Sequence, residues 1–514
     1  VTLDVTHVTL VRTAVEQFLL QAVDRLPSFG VELRVVDSAE PDRAGAPDPG
    51  GARAPERQRR RRFHRMTYGA APAAPTGPSH RRRTTSVDAR GRDGHHDDRG
   101  NHMIEAWIID ACRTPRGTGK VGKGSLAHLH TQRLGATVLA ALAERTGIDT
   151  SDVDDVIFGC SWQVGTQSGD LGRMAALDAG YPVTASGVTL DRFCGSGITA
   201  VNLAAASVMS GLEDVVVAGG AEMMSSYKQN APKNRSPFMD NGNLHLRALH
   251  PQTNQGVAAD AIATLESIPR SALDELAAES QRRAEIAIKE GRFERSLVPV
   301  LNEDGTVALD REEYPRPGTT VEALSQLPPS FEQLADIPLD EDGTTYRDMV
   351  LARYPGLEIQ HVHHAGNSSG VVDGAAAILI TSPEYAKAHG LTPRAKVRAI
   401  ANQGDDPTLM LNAPVPATRK VLERAGMTLD DIDLFEVNEA FAVVPEKYIR
   451  DLDIDREKIN VNGGAIALGH PIGATGSLLI GTVLDELERR DQNVGLVTMC
   501  AAGGMAPAVI IERI

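Results

Sequence analysis

The sequence predicts an α/β protein behind a disordered N-terminal extension. Two observations predict it. From about residue 103 onward, short apolar runs closed by glycine alternate with stretches that repeat at helical spacing. Before that, Pro41 to Asn101 is rich in Pro, Gly, Arg and His and has almost no apolar periodicity, so it cannot bury enough surface to offset its ordering entropy. Of the 514 residues, 41% are hydrophobic and only 4% aromatic, which calls for an aliphatic core rich in small side chains.

The elements follow in order. Ile104–Asp110 reads as a strand. Leu126 to Arg145 has helical spacing, with Leu134, Val138 and Leu142 on one face. Val153–Gly159 and Val188–Arg192 read as strands, Ile198–Ser210 as an alanine-rich helix, and Asp214–Gly220 as a buried strand. Ser271–Gly291 is a helix within a more polar, less regular region. Residues 332–358 resemble an insertion rich in Asp and Pro. Alternation resumes at Ala375–Ile380 and reaches Ile514, with a further strand at Ile432–Val437. Buried apolar strands alternating with helices argue for parallel-rich sheets covered on both faces.

Charge and cysteine usage exclude several classes. Residues 1–102 hold seventeen Arg, no Lys and thirteen acids, a net of +4; the remainder carries −19. An acidic body disfavours nonspecific nucleic-acid binding. The basic runs Arg59–Arg62 and Arg81–Arg83 suit either a nucleic-acid or membrane tail, or an over-extended start that is no part of the working protein. The latter reading is preferred because arginine without lysine suits translated GC-rich sequence and Met103 opens a clean strand. No run of about 18 uninterrupted apolar residues occurs, so no transmembrane helix is expected. Four cysteines without a CxxC pair exclude a zinc ribbon and a disulfide scaffold, and suit a reducing cytoplasm. No peroxisomal or secretion signal is visible.

Four blocks carry chemistry. In Leu190-Asp-Arg-Phe-Cys194-Gly-Ser-Gly, a cysteine sits between a strand and a glycine-opened helix, whose positive end would favour a thiolate and lower its pKa. The alternative is an inert buried cysteine. Asn460 to Gly476 is a tight loop around Gly469-His470-Pro471; the histidine there is a base, an oxyanion donor, a metal ligand or a core residue. A metal lacks a second ligand at the right spacing. Val497-Thr-Met-Cys500-Ala-Ala-Gly503-Gly504 places a second cysteine at a strand end, as a proton carrier or a buried thiol. Phe435-Glu-Val-Asn438-Glu439-Ala440-Phe441 sets a polar pair after a strand, where Asn438 serves an oxyanion or caps a helix.

Together and in this order, the blocks resemble the thiolase family of 3-ketoacyl-CoA thiolases and acetyl-CoA acetyltransferases. The resemblance spans Ile104 to Ile514. It is strengthened by Arg113-Thr-Pro, Gly219-Gly-Ala-Glu-Met-Met-Ser, Ala365-Gly-Asn-Ser-Ser369-Gly-Val-Val-Asp-Gly and Ala413-Pro-Val-Pro-Ala. It implies a duplicated αβαβα layered fold, each half a mixed sheet with helices, with an inserted loop domain: one half at 103–222 with 360–386, the loop domain with its insertion at 223–359, and a second half at 387–514. Residues 1–102 remain an extension.

By the same resemblance, Cys194 is the nucleophile that takes the acyl group as a thioester. His470 activates it and helps bind the thioester oxygen. Cys500 is the acid/base at carbon or at the CoA sulfur. Asn438 holds a water that stabilises the enolate with His470. Ser369 contacts pantetheine, and Ala440 and Phe441 line the acyl pocket. The Cys194 N–H and the 500–504 turn, including Gly503, form a second oxyanion hole. Each good donor at such a site is worth roughly 3–4 kcal/mol. Coenzyme A is the co-substrate, with no metal and no permanently bound cofactor, and the implied assembly is a homodimer or homotetramer. Rival readings are a ketoacyl-synthase-like condensing enzyme, disfavoured by Cys500 and Asn438-Glu439, and a non-catalytic CoA- or lipid-binding relative, disfavoured because Cys194, His470 and Cys500 all remain. Arg282, Arg283, Lys289 and Arg292 are candidate cations for CoA, or a solvated helix face.

Two departures from the family pattern stand out. Cys500-Ala-Ala502-Gly-Gly replaces the usual Cys-x-Gly-Gly-Gly, and the Cβ of Ala502 restricts the turn. His364 replaces the Thr of Thr-Ala-Gly-Asn, with His361 and His363 close by. A metal on these three is not expected, because a strand turns its side chains to opposite faces.

Overall fold

The computed structural model describes residues 105–230 and 236–514. The expected extension over 1–102 lies outside the described residues. In chain order the strands are β1 (Trp107–Arg113), β2 (Gly117–Thr118), β3 (Asp155–Gly159), β4 (Val188–Leu190), β5 (Val215–Met223), β6 (Val300–Leu301), β7 (Val307–Leu309), β8 (Val372–Thr381), β9 (Ala395–Gly404), β10 (Leu434–Val437), β11 (Val494–Thr498) and β12 (Met505–Arg513). The longer helices are α1 (Thr131–Thr146), α2 (Leu171–Asp178), α3 (Ser196–Ser210), α4 (Gln255–Leu265), α5 (Arg270–Lys289), α6 (Tyr346–Arg353), α7 (Pro414–Ala425), α8 (Val443–Leu452) and α9 (Thr475–Arg490).

The fold is duplicated, and the pairing shows it. In the first half β3 runs parallel to β5, β5 antiparallel to β8, and β8 antiparallel to β1. In the second, β10 runs parallel to β11, β11 antiparallel to β12, and β12 antiparallel to β9. The halves share even a local device. Asp154 accepts from the N–H groups of Asp214 and Val215, and Asp433 accepts from those of Asn493 and Val494. Each aspartate ties the start of one strand to the start of its parallel neighbour.

Five layers result. On the outer face of the first sheet, α1 and α2 pack through Leu134, Leu139, Leu142 and Leu171 against Phe158 and Val217. Between the sheets lie α3 and α9, whose Val201, Ala205, Ile480 and Leu484 meet Ile380 from one half and Val509 from the other. On the far face, Ala417 and Val421 of α7 and Tyr448 of α8 pack on Phe435 and Ile510. Edge to edge, the two half-sheets join into one ten-stranded sheet where Trp107 and Ile108 of β1 pair with Lys396 and Ala395 of β9. Segment Phe193–Ser210 is long and apolar enough by composition to cross a membrane, although it contains no uninterrupted apolar run. Its composition follows from its place as a central helix buried between two sheets.

Three expectations are corrected. The sheets are mixed, not parallel-rich: β3–β4, β3–β5 and β10–β11 are parallel, and the pairings of β8, β9 and β12 are antiparallel. Strands such as β5 and β8 are buried along their whole length whatever their direction, so composition does not report it. β1 starts at Trp107 and runs on to Arg113, because β8 continues to pair with it as far as Ala376. α1 starts at Thr131, capped by His130, and the buried Leu126 lies in the turn before it.

Candidate active site

Cys194 sits in the sharp turn between β4 and α3. Phe193 adopts φ 49°, a left-handed conformation costly for a bulky residue. Side chains hold the turn: Asp191 accepts from the Phe193 N–H at 2.6 Å, and the Ser196 hydroxyl donates to the Phe193 carbonyl at 2.7 Å while accepting from the Arg192 N–H at 2.8 Å. The helix start does not lower the thiol pKa as expected. Burial dominates and pushes Cys194 up to about 12, against backbone hydrogen bonding at the turn and, more weakly, the Gln255 side chain at the start of α4, which favour the thiolate.

His470 follows Gly469, whose φ is 95° and where a Cβ would stand 2.3 Å from a Val372 methyl; only glycine fits. The His470 N–H donates to the Gly370 carbonyl at 2.8 Å. Its Nδ1 lies 2.6 Å from the Thr475 hydroxyl, which itself donates to the Pro471 carbonyl at 2.9 Å. The hydroxyl hydrogen being used, Thr475 accepts from Nδ1–H, and Nε2 carries the lone pair. Burial, then the charge of Arg116, pulls the His470 pKa down to about 3, so the ring is neutral. Asn438 Nδ2 lies 3.4 Å from that Nε2, and Asn438 Oδ1 is buried without a partner.

Asn438 is not a helix cap: it follows β10 directly, its N–H donates to the Thr498 carbonyl, and α8 begins only at Val443. Cys500 lies two residues beyond the end of β11 with 1% exposure, its pKa raised by burial and then by the neighbouring Cys194. Ala501 and Met505 exchange backbone hydrogen bonds across the turn that follows. The left-handed positions there are Gly503 and Gly504, at 78° and 76°. Ala502 is not among them, so its Cβ imposes no strain on the turn.

A strap then stitches the second half together. Ser369 N–H donates to the Ala440 carbonyl, Ser368 bridges to Phe441, and Gly370 takes the His470 N–H. Ala440 and Phe441 are 6% and 9% exposed, deep enough to form an apolar wall. The two helices that launch the site abut at their first turns: a Cβ on Gly197 would lie 2.9 Å from the N–H groups of Gly476 and Ser477. The structure thus sets Asn438 against His470, joins the Ser369 strap to Ala440, Phe441 and the His470 backbone, and puts Cys500 beside Cys194.

Against known proteins, the thiolase N-terminal domain model matches residues 106–337 and the thiolase C-terminal domain model matches 391–513. The chain belongs to the thiolase family. It is 39% identical over 424 residues to a steroid 3-ketoacyl-CoA thiolase of Mycobacterium tuberculosis, covering 81% of this chain and 96% of that protein. It is also 39% identical over 422 residues to an acetyl-CoA acetyltransferase of Cupriavidus necator, covering 80% of this chain and all of that one. The crystal structure of the Bacillus anthracis acetyl-CoA acetyltransferase superimposes with a TM-score of 0.67 at 33% identity, over 81% of this chain and 100% of that chain.

Two glutamates of this thiolase-family chain had no role assigned from sequence. Glu222, at the end of β5, takes N–H groups of Ser161, Trp162 and Gly473, the Gln167 amide and the Tyr227 hydroxyl, tying the histidine loop to the first half. Glu439 accepts from Ser280 of α5, Asn460 and the Ile466 N–H, tying that loop to the helical segment. Their signal was present: a carboxylate inside an apolar block must be paired. Gln255 carried no signal, since a glutamine at a helix start is unremarkable in sequence.

The four expected CoA cations are compensated within the chain. Arg282 pairs with Glu279, Arg283 with Glu279 and Glu457, Lys289 with Glu285, and Arg292 with Glu290. The histidine trio does not lie on a strand, so alternation is not what separates it. His361 and His363 converge on Asp260, while His364 bonds Asp274.

Proposed function

We propose that this chain is an acyl-CoA:acetyl-CoA C-acyltransferase, cleaving 3-ketoacyl-CoA with CoA or condensing acetyl-CoA in reverse. The observation that carries it is the neutral His470 with its Nε2 lone pair turned to Asn438. Cys194 gives its proton to Nε2 and attacks the 3-keto carbon. The bond to the α-carbon breaks, and Cys500 protonates the departing acetyl-CoA enolate. The thiol of CoA then returns a proton to Cys500, its sulfur attacks the thioester on Cys194, and His470 reprotonates the released thiolate. Asn438 with a bound water and His470 stabilise the enolate oxygen; the Cys194 N–H and the Gly503 turn stabilise the tetrahedral alkoxide. Ser369 holds pantetheine, and Ala440 and Phe441 hold the acyl chain.

Burial keeps both thiols protonated and His470 neutral in the substrate-free site, so the proton passes from Cys194 to Nε2 in concert with attack on the 3-keto carbon. Thiolysis within fatty-acid β-oxidation is the preferred direction, in the cytoplasm, where four free buried cysteines stay reduced. We further read the chain as a homodimer or homotetramer. Strand β4 is a sheet edge, and Val183, Val188, Leu203 and Leu212 near it are 80%, 42%, 50% and 75% exposed. The test is incubation with acetoacetyl-CoA and free CoA. Two acetyl-CoA formed per acetoacetyl-CoA consumed supports the reading; CoA-independent loss of substrate contradicts it.

A further inference from the structure

Asp260 lies inside α4 with no exposure, and three residues of the 361–363 segment converge on it. His361 Nδ1 reaches its Oδ2 at 2.7 Å, while His363 Nδ1, the His363 N–H and the Val362 N–H reach its Oδ1 at 2.8, 2.9 and 3.1 Å. Burial works to raise this carboxyl, but the histidine hydrogen bonds outweigh it and hold Asp260 below the usual range. An ionised carboxylate only accepts, so Nδ1 of His363 carries hydrogen, and the imidazole tautomer this selects has its lone pair on Nε2.

That Nε2 is fully buried and has no partner. A buried acceptor left unmade is costly, and water-filled or ligand-filled space is the ordinary remedy. The ring meets Phe441 edge-on, with centroids 5.7 Å apart and planes at 83°. Phe441 in turn meets Phe331 at 5.8 Å. Phe331 lies over Gly256, where a Cβ would come within 2.2 Å of its ring, beside the Gln255 that bonds Cys194. Val257, Ala440, Phe441 and Cys500 belong to one apolar cluster with Phe193 and Phe331 against it. The lone acceptor therefore abuts Phe441, which the acyltransferase reading makes a wall of the acyl pocket.

We propose that His363 is a specificity-determining residue whose Nε2 accepts a hydrogen bond from a hydroxyl group carried on the acyl chain of a 3-ketoacyl-CoA. The proposal rests on the acyltransferase reading and names its substrate class: hydroxylated acyl chains over plain aliphatic ones. A pocket that hydrogen-bonds a substrate hydroxyl discriminates against the analogue lacking it, because the buried partner is then left unpaired.

The test uses matched 3-ketoacyl-CoA pairs with six- and eight-carbon acyl chains, each with and without a hydroxyl group at the far end. The readout is the ratio of kcat/KM within a pair, measured in one enzyme preparation, so that a loss of folded protein cancels. Native enzyme is expected to favour the hydroxylated member of at least one pair by about tenfold. His363→Val should bring the ratio to near one, and His363→Gln, which keeps a polar atom, should restore part of it. Asp260 retains the His361 side chain and two backbone donors in either variant. A ratio near one in native enzyme, or a ratio unchanged in His363→Val, overturns the proposal. Failure to cleave any of the four substrates, with no acyl group on Cys194, overturns the acyltransferase reading and the proposal with it.

Discussion

Thr475 fixes the tautomer of His470. Its hydroxyl is committed as donor to the Pro471 carbonyl at 2.9 Å, so at 2.6 Å from Nδ1 it only accepts. The consequence lies on the far side of the ring, where Nε2 is left as a base beside Asn438. The relationship depends on local structure alone: α9 begins at Thr475, one turn after the Pro471 carbonyl it bonds.

Replacing Thr475 by Val keeps the shape and removes the acceptor. The buried Nδ1–H then has no partner, and the competing tautomer gains weight. We expect kcat to fall by about 10- to 100-fold with KM changed by less than about threefold, since the lost interaction serves the base and not substrate binding. Thr475→Ser should recover most of the rate. Steady-state thiolysis kinetics checks this; a Val variant with native kcat would show that the tautomer is set elsewhere.

A very close backbone approach joins the two catalytic halves. A Cβ on Gly476 would stand 2.1 Å from the backbone nitrogen of Ile198, and neither helix can yield without moving Cys194 or His470. Gly476→Ala should cost about 3 kcal/mol or more. Gly481, in the same helix, faces the Ala111 methyl at 3.4 Å, and its Ala variant should change stability by less than about 1 kcal/mol. Urea unfolding of both variants separates these outcomes.

Much of the site was legible because its residues stand at element ends that the pattern marks. Cys194 precedes an alanine-rich helix, Asn438 follows an apolar strand, Cys500 follows another, and glycines bracket His470. Identity and order sufficed to name them. What stayed hidden depends on contacts across the chain. Strand direction left no trace, because both faces of each sheet are covered. The pKa of Cys194 was read with the wrong sign, since the helix start was visible in sequence and its depth of burial was not. The four basic residues on α5 and just beyond it have their partners in glutamates two to four residues away or on another segment. His361, His363 and His364 were noticed as a group, yet Asp260 and Asp274, about a hundred residues upstream, explain them.

Asp373, four residues after Ser369, gives a pH signature. Burial raises its carboxyl to about 6, against the Ser225 N–H that favours the anion, and its Oδ2 has no partner. A carboxyl that binds its proton more tightly when folded adds stability below the unfolded pKa, near 4, and loses it as pH rises through 6. Asp373→Asn cannot ionise. Relative to native protein, it should gain about 2 kcal/mol of stability on going from pH 4.5 to 7.5. Parallel stability curves for the two proteins would contradict the assignment.

The central claim is that Cys194 carries the acyl group. Brief incubation with acetoacetyl-CoA, followed by intact mass and peptide mapping, tests it directly. The account predicts one acetyl group on Cys194, removed when free CoA is added and absent from Cys194→Ala. An acetyl group mapped to Cys500 or to any other residue, with Cys194 unmodified, would contradict it.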